Sequence, residues 1–341
     1  MEARKLNIER YHLEEILFAY GIKNQITDTH DYIKQYSVSD TPRVKAIIRT
    51  DFVDRPSVVF KMIKQKEHPR WKMEQQSIFS EHMRRNGILT PKRYISEGQY
   101  CISVWIENVE LDVIVEDYLG EEIRTIDVET AGRIGQLMAR MHIISERDDC
   151  HIDADSIFKV TGYNEASGYE RFRELGEAGY LNQEKYERII QLYEDRMNRI
   201  QAMWPELPRH ATQGDYSINN LVLRDGAAGI FDYNIAGDET LVGDLIVEGL
   251  LVANEMDLAE GLSTDDRPQL FNAFYDGYSK VRPLQELEQA VVKDVHAVVA
   301  SMWFTTIRYE EDSMEFLVER HEVVKMESIL DQMLELLSEA K

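Results

Sequence analysis

The sequence predicts an α+β protein with two lobes: a small N-terminal lobe with an antiparallel sheet plus a helix, and a larger, mainly helical C-terminal lobe. Strand-like patterning is concentrated in the first third of the 341 residues, and helical periodicity dominates from Asp127 onward. The balance of charge changes in the same region, from 18 basic against 16 acidic residues over positions 1–115 to 21 against 46 over 116–341. A chain of this length is also too long for one compact core. We place the two lobes at residues 1–116 and 117–341.

The N-terminal lobe should begin with a helix over 13–20, because apolar residues recur there at helical spacing and Gly21 can end it. Prolines and polar residues then separate short apolar segments, which is typical of strands. The predicted strands span residues 31–36, 44–50, 57–63, 101–106 and 111–116. A second helix, over 71–85, should end at Asn86-Gly87.

The C-terminal lobe should begin with a helix capped by Asp127, followed by an apolar stripe that reaches Met141. Helical patterns return over residues 184–203 and at the end of the chain, over 330–337. One strand-rich segment, residues 210–232, interrupts these helices. The C-terminal lobe is therefore predicted to be helical around a single β-rich island.

Composition narrows the classes of function. The net charge of −23 argues against nucleic acid or an anionic membrane surface as a partner. No run of about eighteen apolar residues is present and the N-terminus does not resemble a signal peptide, so we expect neither a membrane span nor secretion. Cys101 and Cys150 show no metal-binding spacing and suit a reducing compartment, which predicts a cytoplasmic protein. The acidic excess serves either solubility or the attraction of a cationic substrate.

The β-rich island contains the residues with the clearest chemistry. Apolar segments 221–223 and 229–231 flank Asp225-Gly226, a strong hairpin turn signal. Pairing of these segments would bring Asn220 and Asp232 nearly opposite each other at the open end of the hairpin. Asp215 lies in the loop that leads into the first strand.

Three such groups match what phosphoryl transfer requires. A carboxylate can orient the attacking hydroxyl or accept its proton, which assigns Asp215 as the catalytic residue. An amide oxygen and a second carboxylate suit Mg²⁺, a hard cation that prefers oxygen ligands, which assigns Asn220 and Asp232. Each residue alone is an ordinary turn residue, but their combination indicates a phosphoryl-transfer site.

The same segment resembles the aminoglycoside phosphotransferase and choline kinase family. The resemblance rests on Gly214-Asp215, Asn220, Phe231-Asp232 and, further on, Gly237-Asp238 and Asp244-Leu245. Helix residues 137–142, Leu-Met-Ala-Arg-Met-His, are also similar to the helix that precedes the catalytic region in that family. Gln213 stands where the family usually has histidine, which puts in question how the loop of Asp215 is held.

This resemblance implies a two-lobed protein-kinase-like fold and the use of ATP and Mg²⁺, with residues 1–116 as the nucleotide-binding lobe. Lys61 would bind the phosphates and pair with Glu74 on the next helix, or with Glu81 in reserve. The nucleotide base would bind the backbone at Glu116, Asp117 and Leu119. Residues 36–45 contain no glycine, and Ser37 and Ser39 would take the place of the family's phosphate loop.

The acceptor is less clearly defined. Tyr275-Asp276-Gly277-Tyr278, residues 281–284 and Trp303-Phe304 resemble the homoserine-kinase-type branch of the family, although Trp303 and Phe304 also suit an ordinary core. The acidic lobe favours a cationic acceptor, with Asp238, Glu239 and Glu248 as candidates to bind its amine. We therefore expect transfer of the γ-phosphate of ATP to a hydroxyl of a small molecule, such as an aminoglycoside, amino sugar, amino alcohol or homoserine-like compound.

Two other interpretations remain at this stage. One is a nucleotide-binding but inactive relative with a regulatory or structural function, supported by Gln213 and by the glycine-free loop. The other is an active protein kinase, although the chain lacks the Ala-Pro-Glu motif of ordinary ones. The sequence does not define an oligomeric state.

Overall fold

The computed structural model describes residues 6–37, 43–66, 68–162 and 166–338, with only the backbone of 33–37 and 43, and these form two units. The first contains the residues up to Ile123 together with Ile152–Ala154 and Asn219–Ala236. The second contains Arg124–His151, Asp155–Ile218 and the residues from Gly237 onward.

The first unit extends past residue 116, where we had placed the boundary from the sequence. Two backbone hydrogen bonds contribute to this extension. The Ile123 N–H donates to the Leu221 carbonyl (2.9 Å), and the Ile230 N–H donates to the Leu89 carbonyl (2.9 Å). The hairpin of the β-rich island is therefore part of the first unit, not of the helical one.

Most strands lie in the first part of the chain, and helices dominate after β5. The strands of the described residues are β1 Ile26–Ser37, β2 Arg43–Phe52, β3 Val58–Lys64, β4 Cys101–Ile106, β5 Val109–Asp117, β6 Arg209–Thr212, β7 Leu221–Arg224, β8 Ala227–Ile230 and β9 Gly237–Thr240. The α-helices of the same residues are α1 Arg10–Ala19, α2 Arg70–Arg85, α3 Val128–Arg147, α4 Tyr169–Glu177, α5 Gln183–Met203, α6 Leu241–Asn254, α7 Arg267–Val281, α8 Glu286–Ser301, α9 Phe304–Ile307, α10 Met314–Glu319 and α11 Val323–Ser338.

The first unit is built on an antiparallel sheet with the strand order β1-β2-β3-β5-β4. Side chains alternate along β3, so Phe60 and Met62 join the core that includes Leu17 of α1, while Ile63 packs on the other face with Met73 of α2. Lys61 shares the face of Ile63. The alternation therefore points a lysine towards the α2 side of the sheet.

The second unit contains α3 to α11 and a two-stranded sheet of β6 and β9. Helices α3 and α7 cross at glycines: a Cβ on Gly277 would lie 2.1 Å from the Gly132 carbonyl oxygen, and one on Gly135 would lie 2.0 Å from that of Phe274. Any side chain would separate the two backbones. Gly277 of the Tyr275–Tyr278 motif thus has a packing function.

The predicted fold class is confirmed, and most elements lie where the sequence placed them. The Asp127 carboxylate caps α3 by accepting the Thr130 N–H (2.7 Å). Strand β1 begins at Ile26, five residues before its predicted start, because polar residues alternate along this edge strand and weaken the apolar signal. Across the described ranges, no helix combines the length and apolar character needed to cross a bilayer.

Candidate active site

Lys61 forms the centre of a buried ion-pair cluster in the first unit. Its Nζ lies 2.9 Å from Glu116 Oε1 and 3.3 Å from Asp232 Oδ1. The side chains of Lys61 and Glu116 are each 3% exposed. Burial of an ammonium group is costly unless opposite charges compensate it, and here two carboxylates do so.

Glu116 is held from a second side by Arg93. The Arg93 Nε donates to Glu116 Oε2 (3.1 Å), and its Nη1 donates to the Ser77 hydroxyl of α2 (2.6 Å). Both oxygens of Glu116 therefore have cationic partners, which fixes the carboxylate that orients Lys61. The sequence prediction concerned the backbone of Glu116, whereas the structure shows that its side chain belongs to the cluster.

The predicted pairing of Lys61 with Glu74 is wrong. The Glu74 carboxylate accepts the backbone N–H groups of Tyr100 (2.9 and 3.0 Å) and Cys101 (2.8 Å) at the start of β4. The reserve candidate, Glu81, pairs with Arg84 (2.6 Å) on its own helix.

The sheet register explains why Glu116 takes the place of a helix residue. Lys61 lies opposite Ile114 on β5, so Glu116, two residues further along, points to the same face. Side chains at such diagonal positions are within reach of long residues. The strand order that places β5 beside β3 is not apparent from the sequence, which is why this partner was missed.

Asn220 and Asp232 lie at the open end of the predicted hairpin, as expected. Strands β7 and β8 pair from Leu221 opposite Ile230 to the turn, where Asp225 and Gly226 both have positive φ (51° and 78°). One step beyond the last pair, the Phe231 N–H donates to the Asn220 carbonyl (2.9 Å). Asn220 is buried, and Asp232 follows directly after Phe231.

Asp232 combines an unusual backbone with a stabilised negative charge. Its φ is +55°, a conformation rare for residues other than glycine, and its side chain remains 18% exposed. Burial alone would raise the pKa of this carboxyl, but the positive charges of Lys61, Lys45 and Arg93 lower the pKa below its ordinary value. The carboxylate is thus ionised and partly accessible, as a metal ligand must be.

The backbone after β5 includes both engaged and available N–H groups. The Asp117 N–H donates to the Lys92 carbonyl (2.9 Å), and the Tyr118 N–H donates to that of Ser57 (2.9 Å). Among the residues that the structure describes, the N–H of Leu119 donates to no acceptor. Of the predicted base-binding positions, Leu119 is therefore the one whose amide is available, while the amide of Asp117 is engaged.

Ser37 and Ser39 are the two serines predicted near the phosphates. Ser37 is the last residue of β1 and pairs with Arg43 through the backbone, but its side chain is not described. Ser39 lies outside the described residues. Their contact with phosphate stays a prediction.

Asp215 belongs to the second unit and lies in a loop organised by buried side chains. The Asp215 N–H donates to Gln213 Oε1 (2.8 Å), and the Asp215 Oδ1 accepts the Ser217 N–H (3.2 Å). The Tyr216 N–H donates to Glu248 Oε2 on α6 (2.7 Å). Gln213, which departs from the family's histidine, is itself buried and supplies the acceptor that holds the loop.

The three acidic residues proposed for an amine each have another environment. The Asp238 Oδ2 accepts from His151 Nδ1 (2.7 Å). Glu239 is buried and accepts the N–H of Thr240 (2.7 Å), and burial raises its pKa to about 7. Glu248 is fully buried, and burial and the nearby Asp244 and Asp215 raise its pKa well above the ordinary value. Glu239 and Glu248 are therefore too buried to bind an acceptor directly.

The remaining motif residues join a buried network in the second unit. His142 lies between Asp244 (Nε2 to Oδ2, 3.0 Å) and the Tyr278 hydroxyl (2.8 Å from Nδ1). Arg282 then contacts that hydroxyl (3.1 Å) and the carboxylate of Glu288 (3.0 Å). These motif residues tie α3, α6, α7 and α8 together, so their function is structural.

The second unit also contains an open cavity of about 1060 Å³. Five acidic residues and one arginine, Arg267, line this cavity. The acidic residues are Glu255, Asp257, Asp265, Glu310 and Asp312. Trp303 borders the cavity but is buried, and its Nε1 donates to Glu255 Oε1 (2.6 Å). The end of α6, from Leu250 to Asn254, lines the same cavity. The same helix carries Glu248, which accepts the Tyr216 N–H in the loop of Asp215. At 1.5 Å per residue, Asn254 lies about 9 Å along the helix axis from Glu248.

The fold matches that of solved small-molecule kinases. The amicoumacin kinase hAmiN, in complex with AMP-PNP, Ca2+ and Ami, has a TM-score of 0.57 at 11% identity, covering 96% of this chain and 94% of that one. The microcompartment-associated aminopropanol kinase has a TM-score of 0.55 at 12% identity, covering 96% of each chain. An aminoglycoside phosphotransferase from Alicyclobacillus acidocaldarius has a TM-score of 0.53 at 11% identity, covering 90% and 93%. The chain thus has the predicted protein-kinase-like fold.

No protein-family model matches the chain, and no curated protein matches it either. At these identities the likeness to solved structures establishes the fold, so the assignment of chemistry rests on the residues of this chain. The homoserine-kinase-type branch stays a prediction.

Proposed function

We propose that this protein is an ATP- and Mg²⁺-dependent kinase that phosphorylates a hydroxyl group of a small, amine-bearing molecule. The observation that carries the proposal is the cluster of Lys61 with Glu116 and Asp232, at 2.9 and 3.3 Å. A fold that requires only stability rarely buries a lysine between carboxylates, because apolar residues of similar volume are often no less stabilising. A lysine oriented in this way is what nucleotide phosphates require.

The first unit would bind the nucleotide. Lys61, oriented by Glu116, would contact phosphate oxygens, and the backbone N–H of Leu119 would donate to the base. Lys61 already interacts with the carboxylate of Asp232, so the phosphate-binding cation and a metal-binding carboxylate belong to one cluster. Because the phosphate-binding lysine and the metal-binding carboxylate lie side by side, the cluster suits a nucleotide with a bound metal ion better than a metal-free nucleotide.

The residues at the hairpin end suit Mg²⁺. The carboxylate of Asp232 is ionised and partly exposed, and Asn220 at the facing position offers an amide oxygen. Both are hard oxygen donors, as Mg²⁺ prefers. When bound, the ion would neutralise charge that develops on the phosphates. We therefore assign Asn220 and Asp232 as its protein ligands.

Asp215 would orient the acceptor hydroxyl and accept its proton as the γ-phosphoryl group moves from ATP to the acceptor oxygen, which leaves ADP. The Asp215 N–H donates to Gln213 Oε1 and the Asp215 carboxylate accepts the Ser217 N–H. These two hydrogen bonds fix the loop, so the carboxylate is positioned before substrate binds. The buried Gln213 thus supports an active enzyme. Glutamine in place of the family's histidine at this position therefore no longer favours the interpretation as an inactive relative.

The acidic cavity of the second unit is the best-supported acceptor site. Its five carboxylates suit an ammonium group. Glu255, Asp257 and Asp265 replace Asp238, Glu239 and Glu248 as our candidates to bind the amine. Amino alcohols, amino sugars and aminoglycosides are accordingly the acceptor classes to screen.

The test is a thermal-shift screen with Mg-ATP and Mg-GTP against a panel of amino alcohols, amino sugars and aminoglycosides, followed by measurement of ADP release. We expect the nucleotide to raise the Tm and at least one amine-bearing acceptor to stimulate ADP release. A nucleotide shift without turnover on any acceptor would favour the nucleotide-binding, inactive alternative. The absence of any nucleotide shift would contradict the site.

Two variants separate the proposed functions. Asp215→Ala should abolish transfer and leave Mg-ATP affinity nearly unchanged, whereas Asp232→Ala should weaken Mg-ATP binding. Asp225→Asn, in the exposed hairpin turn, is the control: asparagine tolerates the positive φ at this position, so this variant should bind Mg-ATP as the parent does. Full activity of either the Asp215 or the Asp232 variant would refute the assignment.

A further inference from the structure

Three side chains of types that can bind a metal converge in the second unit, and none of them is assigned to phosphoryl transfer. Asp149 and His151 follow the end of α3, and His210 lies on β6. One ligand atom from each, a carboxylate oxygen and two ring nitrogens, lies within 4.8 Å of the others. We refer to these three residues as the Asp-His-His cluster.

The ring nitrogens of the cluster are directed at the same carboxylate. His151 Nε2 lies 3.2 Å from Asp149 Oδ1, and His210 Nδ1 lies 3.6 Å from the same oxygen. The second distance is too long for a hydrogen bond. Buried His210 Nδ1 has no hydrogen-bond partner among the residues the structure describes. A buried polar atom of this kind normally has a partner, so His210 Nδ1 is a candidate metal ligand.

A fourth residue, Asp238, holds the ring of His151. Proteins commonly orient metal-binding histidines through such a carboxylate. His151 Nδ1 and Asp238 Oδ2 are 2.7 Å apart. A carboxylate that accepts the N–H of one ring nitrogen fixes the ring and leaves the other nitrogen, here Nε2, as a ligand. Asp238, which the sequence suggested for substrate binding, thus contacts His151.

We propose that Asp149 Oδ1, His151 Nε2 and His210 Nδ1 bind a divalent transition-metal ion of the zinc class. Two imidazoles and one carboxylate suit Zn²⁺ and, as a probe, Co²⁺, and they leave a fourth position for water. Mg²⁺ favours sets of oxygen ligands. The proposed ion is therefore chemically distinct from the one assigned to Asn220 and Asp232.

The ion would join the end of α3 to β6. These elements are already linked because the Ala211 N–H donates to the Cys150 carbonyl (2.8 Å) and the Ser145 hydroxyl donates to the Ala211 carbonyl (2.6 Å). Strand β6 ends at Thr212, immediately before the loop of Asp215. A metal bound only by the folded protein raises the free energy of unfolding. Its expected effect is thus on the stability of this region.

The test uses the full chain after removal of metals with a chelator, and it follows Zn²⁺ binding by calorimetry and by the change in Tm. We expect one equivalent of Zn²⁺ per chain and a raised Tm, together with a visible absorption band when Co²⁺ is used instead. His151→Gln and His210→Gln should each weaken binding at least tenfold and abolish the band. Asp149→Asn, at an exposed position, provides a variant with little risk to folding.

Three control variants should still bind the ion. His30→Gln removes a histidine that is as exposed as His151. His30 also lies beside two carboxylates, Asp28 and Asp51, but in the described part of the chain it belongs to no Asp-His-His cluster. Cys150→Ser removes the thiol between the first two ligands, and Asp232→Asn removes the proposed Mg²⁺ ligand. The proposal is overturned if the chelated parent binds no Zn²⁺, or if the variants of Asp149, His151 and His210 bind it as the parent does.

Discussion

Lys61 and Glu116, on neighbouring strands β3 and β5, form a buried ion pair with Nζ 2.9 Å from Oε1. The position that the family resemblance gave to a helix glutamate is taken here by a strand glutamate. Glu74, on α2, instead caps the backbone of β4. The cation that would bind phosphate is thus oriented by the sheet itself.

A double-mutant cycle tests this pairing. Lys61→Met and Glu116→Gln should each lower the free energy of unfolding by about 1.5–3 kcal/mol, because each removes one of the two opposite charges that compensate the buried partner. Their effects should be non-additive, with a coupling energy of about 1–3 kcal/mol. Chemical denaturation of the four proteins of the cycle measures it.

The matched control pairs Lys61→Met with Glu74→Gln. Glu74 accepts backbone N–H groups and makes no contact with Lys61 among the described residues, so these effects should add. Coupling to Glu74 that exceeds coupling to Glu116 would contradict the arrangement.

Gln213 provides a prediction about catalysis without loss of nucleotide binding. Gln213→Ala removes the acceptor of the Asp215 N–H; one neutral hydrogen bond contributes about 1 kcal/mol, so kcat should fall roughly five- to tenfold. The KM for ATP should stay unchanged, because the proposed nucleotide ligands belong to the first unit. Steady-state kinetics with the acceptor found in the screen measures both.

Gln213→His is the informative companion variant. A neutral imidazole nitrogen can accept the same N–H, so this variant should keep most of the parent's kcat. If Gln213→Ala were as active as the parent, the glutamine would not position the loop.

The sequence predicted those parts of the site that depend on local structure. The hairpin of β7 and β8 follows from Asp225-Gly226 and its flanking apolar residues, so the positions of Asn220 and Asp232 could be derived. Lys61 could be identified as a charge within an apolar strand. These features depend on residues close together in the chain.

The parts that the sequence did not predict depend on contacts between distant segments. Glu116 meets Lys61 because β5 inserts beside β3, and Arg93 reaches Glu116 from a segment with no regular pattern. Similarly, the acidic residues proposed to bind an amine were chosen by their charge, but Glu239 and Glu248 proved to be buried. Charge in a sequence does not reveal the exposure of a carboxyl group.

The crossing of α3 and α7 gives a prediction about stability. Gly277→Ala places a Cβ 2.1 Å from the Gly132 carbonyl oxygen, which is well inside van der Waals contact. Separation of the helices should lower the free energy of unfolding by about 2–3 kcal/mol, as expected for overpacking. Asp276→Ala, at an exposed position on the same helix, should change it by less than about 0.5 kcal/mol. Equal stability of the two variants would contradict this packing.

Glu239 gives a prediction about pH. Burial raises the pKa of its carboxyl to about 7 from an ordinary 4.5, so the folded protein keeps a proton there that the unfolded chain releases. The stabilisation that this bound proton provides is therefore fully present below pH 4.5 and is lost as the pH rises through 7. At 1.36 kcal/mol per pKa unit, the loss in the free energy of unfolding is about 3 kcal/mol. Glu239→Gln removes the titrating proton, and its amide oxygen can still accept from Thr240.

The free energy of unfolding of the parent should thus fall relative to that of Glu239→Gln between pH 4.5 and 8, with most of the change between pH 5 and 7. Urea denaturation at a series of pH values measures the difference. Glu184→Gln, at an exposed position in the first turn of α5, is the control and should show the pH dependence of the parent. A constant difference between the parent and Glu239→Gln over this range would mean that the buried carboxyl does not bind its proton more tightly in the folded state.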